Sequence, residues 1–100
     1  MEKRKPHYSL ATIRTEFSVV SRLRMTFTAA QHAEALGFGR AGVVEVIQSI
    51  TGKCFYKSMT SEHNNKIWQD VYHVPAGSLL LYVKFTMSAD GHLLISFKEK

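Results

Sequence analysis

LLLYVKFTMSADGHLLISFK, residues 79–98, is the stretch that decides the fold. Leu79, Leu81, Val83, Phe85 and Met87 alternate with Leu80, Tyr82, Lys84 and Thr86. After SADG the sequence resumes with Leu93, Ile95 and Phe97 against Leu94, Ser96 and Lys98. Successive side chains of a strand point to opposite faces, so this period of two predicts two strands, Leu79 to Met87 and His92 to Lys98, joined by a turn. One face of the pair is apolar and suited to a core, and the other is open and polar.

Two further stretches of strand length precede these, Lys53 to Thr60 and Ile67 to Val74, separated by SEHNNK and followed by PAG, all turn or loop chemistry. Strands with connections this short predict an antiparallel meander. The first half reads as helices. Ser9 is placed to cap a helix carrying Leu10, Ile13 and Phe17 on one stripe and ending near Val20. Arg22 to Phe27 shows a partial alternation and reads as a short strand. Thr28 with Gln31 matches a capping box that opens a helix through Ala33 and Leu36, with Gly37 as its stop. A third helix is expected from about Arg40 to Ile50, with Val43, Val46, Ile47 and Ile50 facing a core and Gly52 beyond its end. The pattern is α+β: an antiparallel or mixed twisted sheet with helices packed on one face.

A chain of 100 residues supports one modest core, so a single domain spanning 1–100 is expected. Hydrophobic residues at 45% and charged residues at 21% exclude compositional disorder. The lone Cys54 excludes an internal disulfide and reads as a small core thiol. His7, His32, His63, His73 and His92 show no metal-ligand spacing, so neither a metal nor any other cofactor is expected. MEKRKPHYSL lacks the apolar run of a signal peptide, its Lys3–Arg4–Lys5 cluster reads as a frayed terminus, and the longest apolar stretch, Leu79 to Val83, is too short to span a bilayer. A cytoplasmic protein with no membrane contact is the expectation. A net charge of +5 and a pI near 9.6 favour a polyanion or an acidic protein as partner.

Strand parity then asks which polar side chains collect on the open face. Tyr82, Lys84, Ser96 and Lys98 fall there. Directing Trp68 and Tyr72 to the core sends Gln69 and His73 outward, and Lys57 is assigned outward because an unpaired ammonium is costly to bury. Such a face could bind single-stranded RNA, with lysines on phosphate oxygens and an aromatic ring stacked on a base. It could also cleave RNA, which takes a base for the 2′-hydroxyl proton, an acid for the leaving 5′-oxygen and cations for the charge building on phosphorus. A lysine suits the base role only if its pKa is pulled down, as neighbouring cations would do. His73 and His92, on or beside this face, are candidate proton donors. Lysines on an open sheet face also serve solubility alone.

Several separated blocks add a resemblance. MEKRxPH at residues 1–7, LG at Leu36 and Gly37, FYKSMT at 55–60, WQDVY at 68–72, YVK at 82–84 and SFKEK at 96–100 resemble the MqsR toxin family over essentially the whole chain. The resemblance implies a RelE-like fold and a growth-arresting endoribonuclease, an mRNA interferase that cuts single-stranded GC-containing sites such as GCU without metal or ribosome. It implies catalytic roles for Lys57, Gln69, Tyr82 and Lys98. On the open face Lys57 and Gln69 are expected side by side, and Met59, His73, Lys84 and His92 are expected to bind substrate. The partner implied, besides mRNA, is an MqsA-like antitoxin with a zinc-binding region and a helix-turn-helix, through which any DNA contact is made. HVPAGSLL and the turn SADGH depart from the family pattern, which leaves base preference open. A noncatalytic RNA-binding or regulatory module using the same face is the alternative.

Overall fold

A computed structural model describes residues 1–100 as three α-helices and one five-stranded antiparallel sheet in the order β1-β2-β3-β4-β5. The helices are α1 (Leu10–Glu16), α2 (Phe27–Ala35) and α3 (Arg40–Ser49). The strands are β1 (Glu2–Lys3), β2 (Phe55–Thr60), β3 (Trp68–Ala76), β4 (Leu79–Met87) and β5 (Leu93–Glu99). No helix is long and apolar enough to cross a membrane.

The meander follows the expected alternation. Leu81, Val83 and Phe85 of β4, and Leu93, Ile95 and Phe97 of β5, are buried on one face with Tyr72 and Val74 of β3. Ile13 of α1 with Phe17 just past its end, Ala29 and Ala33 of α2, and Val43, Val46 and Ile47 of α3 close that face into one core. Ser9 caps α1 by accepting from Thr12 N at 3.3 Å. Gln48 of α3 donates to the carbonyls of Arg14 at 2.8 Å and Phe17 at 3.2 Å, tying α3 to the end of α1. Gly37 follows α2 with φ of 88°, a backbone conformation suited to glycine.

Several expectations are corrected. The first helix stops at Glu16, and Val20–Arg22 forms a separate 3₁₀ turn, because Phe17 breaks from helical geometry and packs on Phe85 with ring centroids 6.2 Å apart. Arg22 to Phe27 is not a strand. Met25 makes one parallel bridge to Ile95, held by Thr26 N to Ile95 O at 3.1 Å and Ile95 N to Arg24 O at 3.0 Å. The cap of α2 is Thr26, whose hydroxyl accepts from Ala29 N at 3.0 Å, rather than Thr28. Starting there brings Ala29 and Ala33, one turn apart, into the core. Gly52–Cys54 is a 3₁₀ turn, so β2 begins at Phe55. β3 begins at Trp68 and runs on through Pro75, which β2 does not reach, so its missing N–H leaves no β2 carbonyl unpaired. β5 begins at Leu93, leaving His92 in the turn.

The N-terminal residues are not frayed. Glu2 pairs with Met59 and Lys3 with Ser58, adding a fifth strand to the expected four-stranded meander. Asp70, fully buried on the core face of β3, accepts from His7 N, from Tyr8 N at 2.8 Å and from the Ser58 hydroxyl at 2.6 Å. These bonds tether the segment after β1. α2 differs from the single-layer expectation too, because it lies along β5 and reaches toward the open side of the sheet.

Candidate active site

Phe55 and Lys57 have the same parity, so a regular strand would place them on one face. Phe55 packs on buried Tyr72 at 5.5 Å, whereas Lys57 stands opposite Val71 on the open face. A bulge between Phe55 and Lys57 reconciles the two. Tyr56, the extra residue, lies on the open side, its ring stacked on His73 at 4.3 Å.

The register then builds three rows across the open face. Met59, Gln69, Thr86 and Leu94 form the first, and Lys57, Val71, Lys84 and Ser96 the second. His73, Tyr82 and Lys98 form the third, with Tyr56 at its end. Lys57, Gln69, Tyr82 and Lys98 therefore share one surface with Met59, His73 and Lys84. Gln69 is directly opposite Met59, so Lys57 and Gln69 are diagonal neighbours rather than side by side. His92 is apart: it lines a separate cavity with Glu16, Arg22 and Arg24, beside buried Phe17 and Leu93.

Charge on the face is unevenly held. Lys57 Nζ donates to Glu2 Oε2 at 2.9 Å and sits 5.4 Å from the Tyr56 ring centroid. That hydrogen bond to Glu2 raises the Lys57 pKa, against the expectation that crowded cations would lower it. Lys84 moves the other way, pushed down first by burial and then by Lys98. Lys98 Nζ lies 5.0 Å from the Tyr82 ring centroid. Burial raises the Tyr82 phenol, with Lys57 opposing, so at neutral pH it keeps its proton. Burial, then Lys100, lowers His73.

A cavity of about 230 Å³ opens between this face and α2, lined by Tyr82, Lys84, Ser96 and Lys98 on one side and Thr28 and His32 on the other. Glu2, Tyr56 and His32 are contacts that parity reasoning missed. Nothing in FYK marks the bulge, β1 is only two residues long, and His32 lies on a helix. The one available signal was the i, i+4 spacing of Thr28 and His32, which puts both on one side of α2.

Ammonium groups, a protonated phenol, an amide and imidazoles on one surface can bind a phosphodiester, stabilise charge on it and move protons beside it. No group of three or more His, Cys, Asp or Glu side chains is arranged to hold a metal ion.

Comparison with known proteins gives two matches. Residues 5–99 match the family model described as motility quorum-sensing regulator, toxin of MqsA. The chain is also 38% identical over 100 residues, covering all of both chains, to the mRNA interferase toxin MqsR of Escherichia coli strain K12.

Proposed function

The chain belongs to the MqsR toxin family, and from that premise we propose that it is an endoribonuclease toxin whose open sheet face cuts messenger RNA. The cut falls at single-stranded GC-containing sites of GCU type, without metal ion or ribosome, and arrests growth. The observation that carries this reading is the gathering of Lys57, Gln69, Tyr82 and Lys98, together with Lys84, on one face beside a cavity.

In this reaction the 2′-oxygen loses its proton and attacks phosphorus, the bond from phosphorus to the 5′-oxygen breaks, and the leaving oxygen takes up a proton. The products are a 2′,3′-cyclic phosphate and a 5′-hydroxyl. Lys57 and Lys98 hold and polarise the phosphate, each as a point charge on nonbridging oxygens. Tyr82, which retains its proton, donates to the leaving oxygen. Gln69 orients phosphate or base by hydrogen bonding, and the exposed Tyr56 with His73 offers a stacking surface to a neighbouring base. Met59 and Lys84 complete the substrate surface. His92, on its separate cavity, can act only on nucleotides that run past the turn.

The Tyr56–His73 stack also suits a module that binds RNA without cutting it. Expression of Lys57→Ala and Gln69→Ala separates the two readings. Both variants are expected to lose growth arrest while keeping the wild-type thermal transition, with cleavage reduced about 100-fold or more. Full toxicity in both would show that the site is wrong.

The partner is an MqsA-like antitoxin that carries the zinc and a helix-turn-helix, so contact with DNA is made through the partner. A net charge of +5 would speed encounter with an acidic antitoxin surface. An mRNA substrate and the unpaired Cys54 both support a cytoplasmic setting.

A further inference from the structure

The reaction needs a base, and none of the four residues given catalytic roles above fills that part. His73, the imidazole on the sheet face, is stacked on Tyr56 and lies outside the cavity lining. Lys84, though pushed down by burial and Lys98, is by type a cation for the phosphate. The Tyr82 phenol is raised and Lys57 is held charged by Glu2. Glu2 is itself engaged with that lysine. No carboxylate lines the cavity between α2 and the sheet. Its ionisable groups are Tyr82 and Lys84 from β4, Lys98 from β5 and His32 from α2. Imidazole is the one side chain among these types whose unperturbed titration falls near neutrality.

We propose that His32 is a catalytic residue of this site, the base that takes the 2′-hydroxyl proton from RNA seated between α2 and the lysine-bearing strands. The proposal rests on the ribonuclease reading and fills the one role that reading leaves open. α2 supports it structurally. Thr26 caps the helix, Ala29 and Ala33 anchor it in the core, and Thr28 and His32 are presented to the cavity from a fixed backbone. The proton passes from the 2′-oxygen to the imidazole as the new bond to phosphorus forms, and Tyr82 protonates the 5′-oxygen as the old one breaks. Bulk water then resets both groups.

His32 is exposed, so its replacement leaves the core intact. The test is the pH–rate profile for cleavage of a single-stranded GCU-containing RNA by wild type, His32→Gln, His32→Ala and His73→Gln. For the wild type the rate should rise with pH along an acidic limb. His32→Gln should lose that acidic limb and run about 100-fold slower, and exogenous imidazole should restore part of the rate to His32→Ala. A limb that survives in His32→Gln, or that vanishes only in His73→Gln, overturns the assignment and leaves the ribonuclease reading standing. Intact RNA with wild type at every pH overturns both.

Discussion

Tyr72 shows how a single buried group ties stability to pH. Its ring fills the core between Phe55 and Phe85, but its hydroxyl is buried without a hydrogen-bond partner. Burial, then the Asp70 charge, pushes the phenol up to about 12. Because the folded pKa lies above that of an unfolded tyrosine, the folded state favours the protonated phenol. The associated stability is present below about pH 10 and is lost as pH rises through the folded value. Tyr8 and Tyr82, also raised by burial, add to the alkaline loss. Tyr72→Phe is therefore expected to stabilise the protein at pH 7 by about 1 kcal/mol, since it removes an unsatisfied polar atom and keeps the ring. It should also flatten the decline between about pH 10 and 12. Urea melts at pH 7 and across that range check both effects, and a variant destabilised at pH 7 would mean that the hydroxyl is satisfied in solution.

Among the elements, β4 and β5 were legible because strict alternation leaves one register consistent with a buried face. The sequence also placed Gln69, Tyr82, Lys84 and Lys98 on the open face by the same rule. β2 was not legible in this way. Its bulge reverses parity between Phe55 and Lys57, and the outward assignment of Lys57 rested on the cost of burying an ammonium. β1 and the cap of α2 were hidden for a related reason, since both depend on partners far along the chain, Ser58 and Met59 for β1 and Ile95 for Thr26. Asp70 is where this long-range order is concentrated. Replacing it with Ala would strand the amides of His7 and Tyr8 and the hydroxyl of Ser58. The expected cost is about 3 kcal/mol, read as a lower urea midpoint, with faster amide exchange at His7 and Tyr8. An unchanged midpoint would mean that the tether contributes nothing. Loss of the tether should also loosen Glu2 against Lys57.

For the whole molecule, the sheet divides labour between its faces. The core face is closed by α1, α3 and the Ala29 and Ala33 side of α2, while the open face carries the lysines and is bounded at the β5 edge by the Thr28 and His32 side of α2. That boundary turns a flat polar surface into a cavity, and periodicity could not reveal it because α2 is placed by long-range contacts, the Met25–Ile95 bridge before it and the burial of Ala29 and Ala33 within it. The chemistry assigned to the cavity, acid–base and electrostatic with protein side chains alone, makes a direct demand on the purified protein. Incubation with a single-stranded GCU-containing RNA in excess EDTA, followed by end analysis, should give fragments ending in 2′,3′-cyclic phosphate and 5′-hydroxyl. RNA that stays intact would contradict the account.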